Sequence, residues 1–223
     1  MTTDLGGVDR ATDVAVTDEG AAVVSGDTGQ DVLPCDPDGW NVDLVVVRCL
    51  PTGDLDPEFA DDAVQTWGPS GPDEHAAAVS LLDGGGIVAA GLTTDSRTRA
   101  VLIRLRPGGE PKRSFGDRGG RIVELGGSQG VSDVATDLAI EDDNRIVLGG
   151  WADDRRGKRS IAVARLQLSG EFDREFGVGG RVRTSIGNRA MANALALAPD
   201  RIVVAGSRRH NDTDAAVASY RSD

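Results

Sequence analysis

Several residue types that carry enzyme chemistry or fill large cores are scarce in this sequence. Aromatic residues make up only 4% of the 223 residues, so a core has to be built from Val, Ala, Leu and Ile. Histidine occurs only at His75 and His210, and lysine only at Lys112 and Lys158. Acidic residues outnumber basic ones by 36 to 24, which gives a net charge of −12. This excess argues against nucleic acid as a partner, because phosphate binding needs a basic surface.

Long apolar runs are also missing. The first ten residues, MTTDLGGVDR, lack the basic start and apolar centre of a secretory signal, and no stretch approaches the length of a membrane span. The sequence therefore predicts a soluble chain without a membrane partner. Its compartment is left open: cytoplasmic by default, extracellular if the chain is cut from a longer protein.

The two cysteines give no sign of a metal or catalytic centre. Neither Cys35 nor Cys49 has a second ligand at CxxC or CxxH spacing, so a zinc site is not predicted. A disulfide between them is left open. Cys49 stands where the other repeats carry Leu105, Leu166 and Tyr220, which favours a buried apolar thiol.

Glycine is abundant, with 30 residues, and marks an internal repeat. One anchor is a phenylalanine that recurs at intervals of about 60 residues, at Phe59, Phe115 and Phe176. A second anchor is a glycine that closes an apolar run, at Gly26, Gly91, Gly150 and Gly206. A third is an aliphatic run that ends in Arg and a large residue: VVVRC, VLIRL and AVARL, with AVASY as a variant.

Each repeat unit is predicted to form four short strands, named a to d in chain order. In the third unit these are 121–125, 134–140, 145–150 and 160–166. Tight polar turns such as EDDN and APD join strands b and c, which is typical of antiparallel pairs. No segment has the 3.6-residue period of a capped helix.

An aliphatic strand closing on AG or GG, followed by ARL and then by SGEFDREFGVGG, resembles the delta-60 repeat family of bacterial proteins. The match covers essentially the whole chain and is weaker in the first two units, which read FADDA and EPKRSF at the motif. The resemblance implies a β-propeller and no established activity. The strand order also looks like a kelch blade, which is an analogy of fold alone.

We therefore expect an all-β fold: one domain over residues 1–223, a four-repeat β-propeller with four short antiparallel strands per blade. The units are approximately 1–63, 64–120, 121–180 and 181–223. In this register a blade contains strands b, c and d plus the following a, and the N-terminal strand MTTDL closes the last blade. Whether four blades close alone, with a second chain or within a longer protein is left open.

The repeated Phe motif is interpreted as a corner between strand d and the outermost strand. Its Phe is expected to fill the space between neighbouring blades, and its glycines to permit positive φ. The acidic pairs Asp54/Asp56 and Glu171/Asp173 are expected to cap the turn. Calcium binding by these pairs is the less favoured alternative.

No catalytic constellation, cofactor site or metal site is predicted. The histidines lack a GxSxG nucleophile elbow, and the glycine runs lack the GxxxxGK[ST] pattern of a P-loop. His75 is interpreted as a surface or loop residue near one end of the axial channel. Blade packing is favoured over ligand stacking for the tryptophans, Trp40, Trp67 and Trp151.

The function predicted from the sequence is a non-catalytic interaction module for protein, peptide or glycan. One alternative is a structural segment of a larger bacterial surface protein. Another is a lyase or hydrolase with a site at the axial channel, for which His75 is the only hint.

Phe176→Ala is predicted to lower the free energy of unfolding by roughly 3–5 kcal/mol, because a buried ring leaves a large cavity. Equilibrium denaturation measures this loss. A loss below about 1 kcal/mol would contradict a buried ring.

Overall fold

The computed structural model describes residues 5, 8–29, 42–68, 73–127, 131–209 and 212–222. All regular structure in these residues is β-strand, and it contains no helix. The strands are β1 (Val8–Val16), β2 (Ala22–Gly29), β3 (Val42–Cys49), β4 (Val64–Trp67), β5 (Asp73–Leu81), β6 (Ile87–Thr94), β7 (Thr98–Leu105), β8 (Gly120–Val123), β9 (Asp133–Ile140), β10 (Ile146–Asp153), β11 (Arg159–Leu166), β12 (Arg181–Thr184), β13 (Arg189–Ala198), β14 (Arg201–Arg209) and β15 (Thr213–Arg221).

The strands form sheets in chain order. Sheet 1 has the order β1-β2-β3-β4 and sheet 2 the order β5-β6-β7-β8. The remaining strands form sheet 3 (β9 to β12) and sheet 4 (β13 to β15). These two sheets are joined by one parallel pair of residues, Arg159 of β11 and Arg189 of β13. All other strand pairs with a printed register are antiparallel.

The predicted grouping of strands b, c and d with the following a is confirmed in sheets 1, 2 and 3. In sheet 4 the described residues form three strands. The strand expected to close that sheet, MTTDL, lies outside the described residues except for Leu5. Leu5 is not in a strand, and its N–H donates to Asp9 Oδ2 at 2.7 Å.

The chain divides into two compact units: Met1–Ser96 with Leu102–Gly120, and Arg97–Val101 with Arg121–Asp223. In unit 1, the fully buried Phe59 belongs to an apolar core shared by sheets 1 and 2. In unit 2, Phe176 belongs to the equivalent core shared by sheets 3 and 4. Phe115 is also buried, at 1% exposure. These rings supply large apolar volume in a chain that has few aromatic residues.

Strand b carries a β-bulge in all four sheets, next to the glycine that ends the apolar run of strand c. The carbonyl of strand b crosses directly over this glycine. A β-carbon added to Gly150 would lie 1.9 Å from Val134 O. The same clash, at 2.0–2.3 Å, would occur at Gly26, Gly91 and Gly206. Glycine is therefore required there for close backbone approach rather than for a turn.

The corner after each Phe uses left-handed backbone at the same offsets. In the third unit Gly177, Gly179 and Gly180 have positive φ, as expected from the sequence. In the first unit the same offsets carry Ala60, Asp62 and Ala63, with φ of 50°, 51° and 72°. The first unit therefore has the same left-handed backbone without the glycines. Each β-carbon adds steric strain at these positions.

Ala63→Gly is predicted to raise the free energy of unfolding by about 1 kcal/mol, because glycine adopts φ near 72° without steric strain. Urea denaturation provides the measurement. The control is Ala21→Gly, whose backbone has no positive φ and which should lose stability. Equal losses in both variants would contradict the strain argument.

Candidate functional site

The corner motif joins an arginine, an aspartate and a phenylalanine. In the third unit, Arg165 Nε donates to Asp173 Oδ2 at 2.8 Å, and the guanidinium lies 5.0 Å from the ring centroid of Phe176. The other carboxylate oxygen, Oδ1, accepts the N–H of Glu175 at 3.2 Å. Burial acts to raise the pKa of Asp173, but these hydrogen bonds and the positive charge of Arg165 lower it overall.

The first unit repeats this arrangement. Arg48 Nε donates to Asp56 Oδ2 at 2.6 Å and the guanidinium lies 4.8 Å from the centroid of Phe59, while Asp56 Oδ1 accepts the N–H of Glu58. The carboxylate oxygens of Asp56 and Asp173 therefore cap the turn and bind arginine. The second unit has Lys112 in place of the aspartate.

A second group of polar residues lies where strands of sheets 1 and 2 begin. We call Asp43, Asp73 and Glu74 the acidic rim. Glu74 is fully buried, and its Oε1 accepts the hydroxyl of Thr93 at 2.7 Å. Its Oε2 is buried and has no hydrogen-bond partner. A β-carbon added to the exposed Gly68 would lie 2.2 Å from Asp43 Oδ1 and 2.6 Å from Glu74 Oε2, so the two carboxylates approach the same point.

The electrostatics of the acidic rim favour bound protons. Burial raises the pKa of Glu74 to about 7; the hydrogen bond from Thr93 opposes this, and the charges of Asp43 and Asp73 add to it. Burial also raises the pKa of Asp43. Two carboxyl groups so close together in a site shielded from water do not readily ionise together. One proton on the Asp43–Glu74 pair relieves the repulsion.

A histidine and an aspartate connect sheets 1 and 2 next to the acidic rim. His75 is the third residue of β5, and its Nδ1 lies 3.2 Å from Asp27 Oδ2. The same aspartate accepts the N–H of Ala76 and pairs with Arg10 at 3.1 Å. Of the predicted surface or loop position, the loop part is wrong because strand b begins at Asp73, whereas the His75 side chain is partly exposed. Through its contacts with His75 and Ala76, Asp27 connects sheet 1 to sheet 2.

The acidic rim of unit 1 has no counterpart at the junction of sheets 3 and 4 in unit 2. Residues at the repeat position of Asp43 are Arg99, Ser160 and Asp214, and those at the position of Glu74 are Asp9, Asp133 and Ala190. At the junction of sheets 3 and 4, Ser160 Oγ pairs with Ser185 Oγ at 2.8 Å instead. Sequence reasoning missed the rim because it searched for motifs along the chain. The available signal was an acidic residue near the start of strand d in one unit together with another near the start of strand b in the next unit.

The remaining candidates have structural positions or fall outside the described residues. Trp67 ends β4 and packs against the core of unit 1, with its indole over Gly120. Trp151 stacks against Arg159, whose guanidinium lies 3.3 Å from the ring centroid. Cys49 is only half-buried, so the prediction of a buried thiol is wrong; it lines a cavity on sheet 1. Three further candidates, Cys35, Trp40 and His210, lie outside the residues that the structure describes.

One family model matches part of the chain. Residues 141–176 match the model of a β-propeller family described as a domain of unknown function, DUF5122. The match covers strand c, strand d and the first part of the corner motif of the third unit, as far as Phe176. No curated protein matches the chain.

The comparison with solved structures includes two matches at low sequence identity. A protein of unknown function from Dyadobacter fermentans DSM 18053 has a TM-score of 0.51 at 10% identity, covering 97% of this chain. This chain spans 62% of the length of that protein. An alpha-L-arabinofuranosidase from Clostridium thermocellum ATCC 27405 has a TM-score of 0.45 at 10% identity, covering 96% of this chain and 68% of that chain.

No helix among the described residues is long and apolar enough to cross a membrane.

Glu74→Gln is predicted to remove part of the pH dependence of stability. The pKa of Glu74 is raised in the folded state to about 7, so folding favours its protonated form. The wild type should lose this stability as pH rises from about 4.5 to about 7. Near pH 8 the free energy of unfolding of the variant should exceed that of the wild type by about 2 kcal/mol, and near pH 4.5 the two should be similar. Urea denaturation at each pH provides the measurement.

The matched control is Glu19→Gln, in an exposed turn of the same unit, which should follow the wild-type curve. A variant less stable than the wild type near pH 8 would contradict a raised pKa of Glu74.

Proposed function

We propose that the chain is a four-bladed β-propeller domain that binds a positively charged ligand, such as a basic peptide side chain, at the acidic rim. Four repeated sheets and the match of residues 141–176 to a β-propeller family model support the fold. We favour binding over catalysis because the buried oxygen of Glu74 lacks a partner that a bound cation would supply.

The unpartnered Oε2 of Glu74 is the observation that carries this proposal. A buried carboxylate without a partner is costly, and a cation is the group that would compensate it best. Asp43 and Asp73 are each half-exposed, so they connect the buried oxygen to solvent. A guanidinium or ammonium group at Asp43 would stabilise the ionised form of both carboxylates.

The charge of the whole chain favours the same class of partner. A net charge of −12 attracts cationic ligands over long distances and repels anionic ones. A neutral glycan would gain nothing from this field. We therefore favour a basic peptide over the glycan that the sequence left open.

Isothermal titration of a short peptide with alternating Arg and Gly tests this function, compared with the same peptide carrying Glu in place of Arg. We expect binding of the basic peptide only. Asp43→Asn and Glu74→Gln should each weaken binding about tenfold or more, while Glu19→Gln should not. A basic peptide that binds all three variants equally would place the interaction outside the acidic rim.

The pH dependence of binding separates the rim from the general acidic surface. The ligand must displace the proton on Glu74, whose pKa is about 7. Affinity should therefore rise between about pH 5.5 and about pH 8 in the wild type, and this rise should be smaller in Glu74→Gln. A flat profile in the wild type would exclude Glu74 from the site.

A further inference from the structure

Glu74 and Thr93 face each other across two neighbouring strands of unit 1. The register of β5 and β6 places Glu74 directly opposite Thr93, and the two residues are 0% and 2% exposed. The hydroxyl of Thr93 donates to Oε1 of Glu74 at 2.7 Å. This bond uses one carboxylate oxygen inside the protein and leaves Oε2 as the unpartnered atom of the acidic rim.

The direction of that free oxygen depends on the hydroxyl of Thr93. A glutamate side chain has several rotatable bonds, so burial alone does not fix the plane of its carboxylate. The hydrogen bond from Thr93 holds Oε1 against β6 and thereby turns Oε2 towards Asp43. Loss of this donor would leave a second buried oxygen without a partner, which is costly enough to make the carboxylate move.

Gly68 leaves open the space in which the two carboxylates meet. Its φ is outside the left-handed region, so the backbone does not require glycine there. A β-carbon would lie 2.6 Å from Glu74 Oε2 and 2.2 Å from Asp43 Oδ1, closer than non-bonded atoms approach. Because both oxygens lie so near one point, they are at most about 4.8 Å apart, and one donor group can reach both.

Unit 2 contains a carboxylate at the repeat position of Glu74 that is satisfied from within. This residue is Asp133, and the residue opposite it on β10 is Ala152, which has no hydroxyl to donate. The N–H of Gly126 donates to Asp133 Oδ1 at 3.0 Å instead. In unit 1 the donor is a side chain on the neighbouring strand, and Oε2 of Glu74 remains available to a donor from outside the protein.

We propose that Thr93 is the positioning residue of the acidic rim and that Gly68 is the residue that admits the ligand. Thr93 holds Oε2 of Glu74 towards Asp43, and Gly68 keeps a gap that accepts a single small cationic group, such as the end of a lysine or arginine side chain. The inference rests on the proposed function for the identity of the ligand. The role of Thr93 is also testable on the free protein.

Thr93→Val tests the positioning role, because valine has a similar shape but lacks the hydroxyl. Near pH 7 this variant should bind the Arg–Gly peptide at least about tenfold more weakly than the wild type. In the free protein Glu74 should titrate at higher pH, because the bond from Thr93 lowers its pKa. NMR of the ¹³C-labelled glutamate carboxyl group measures this titration.

Thr93→Ser is the conservative variant, since serine keeps the hydroxyl, and it should restore both the affinity and the titration. Asp43 and Asp73, whose charges raise the pKa of Glu74, are unchanged in all these variants. A threonine with a purely structural role would leave the titration of Glu74 where it is.

Gly68→Ala tests the admission of the ligand without changing any charge. Its methyl group would occupy the meeting point of the two carboxylates, so binding of the peptide should weaken at least about tenfold. The matched control is Gly108→Ala in the turn after β7, where a β-carbon first meets the flexible side chain of Glu110 at 3.0 Å. This control should bind like the wild type, and circular dichroism shows whether each variant is folded.

The outcomes separate this inference from the proposed function. Peptide binding that is equally strong in the wild type, Thr93→Val and Gly68→Ala would overturn the inference and leave the proposed function standing. A titration of Glu74 that Thr93→Val does not shift would overturn the positioning role with or without a ligand. A wild type that does not bind the peptide would refute the proposed function and the role of Gly68, while a shifted titration in Thr93→Val would still support the role of Thr93.

Discussion

The close approach of strand b to one glycine of strand c is the constraint on which the sheets depend. At Gly150 any side chain would overlap the carbonyl of Val134, so only glycine permits the bulge. The bulge in turn orients a carboxylate between sheets. Asp13 Oδ2 accepts the N–H of Val79 at 2.9 Å in unit 1, and Asp137 Oδ2 accepts the N–H of Leu195 at 2.6 Å in unit 2. Sheets 2 and 4 carry alanine at this position. Each compact unit therefore contains one such bond, in keeping with a pair of sheets as the structural module.

A core with so few aromatic residues depends on the phenylalanines of its corners for apolar volume. The buried ring of each corner supplies volume that Val and Ala cannot, and in two units an arginine covers the ring while an aspartate holds the arginine. Arg165 is almost fully buried, and burying a charge is costly unless its donors are satisfied. Its partners are Asp173, the carbonyl of Ser222 and the more distant Glu141. The corner thus combines a buried apolar ring with a compensated charge. Arginine suits this position better than lysine, because a guanidinium donates hydrogen bonds in several directions.

Regular features of the repeat could be predicted from the sequence, while pair-specific features could not. The Gly anchors and the Phe corners recur, so their shared role is visible in one chain, and strand grouping follows from turn lengths. The left-handed backbone at Ala60 and Ala63 was hidden because these residues disfavour it; it follows only from the equivalence with Gly177 and Gly180. The contact of His75 with Asp27 joins residues far apart in sequence, and its geometry depends on how two sheets pack. No local pattern encodes such a contact, although Asp27 does stand where other repeats have Leu92 and Trp151.

Departures from the repeat are also where specific chemistry is expected, since identical junctions would give every sheet the same site. At the junction of sheets 3 and 4 the rim position is neutral, with two serines in contact. At the junction of sheets 1 and 2 it holds Asp43 and Glu74, with a raised pKa at both. A serine pair would stabilise the fold better than two carboxylates in a shielded site, since it needs no bound proton. The fold can accommodate this local cost because the core of Phe59 lies in the same unit. Carboxylates held at a thermodynamic disadvantage are characteristic of functional sites rather than of structural joints. For this reason the acidic rim, unlike the better satisfied corner and the Asp27–His75 contact, is a part of the described structure that stability alone does not explain.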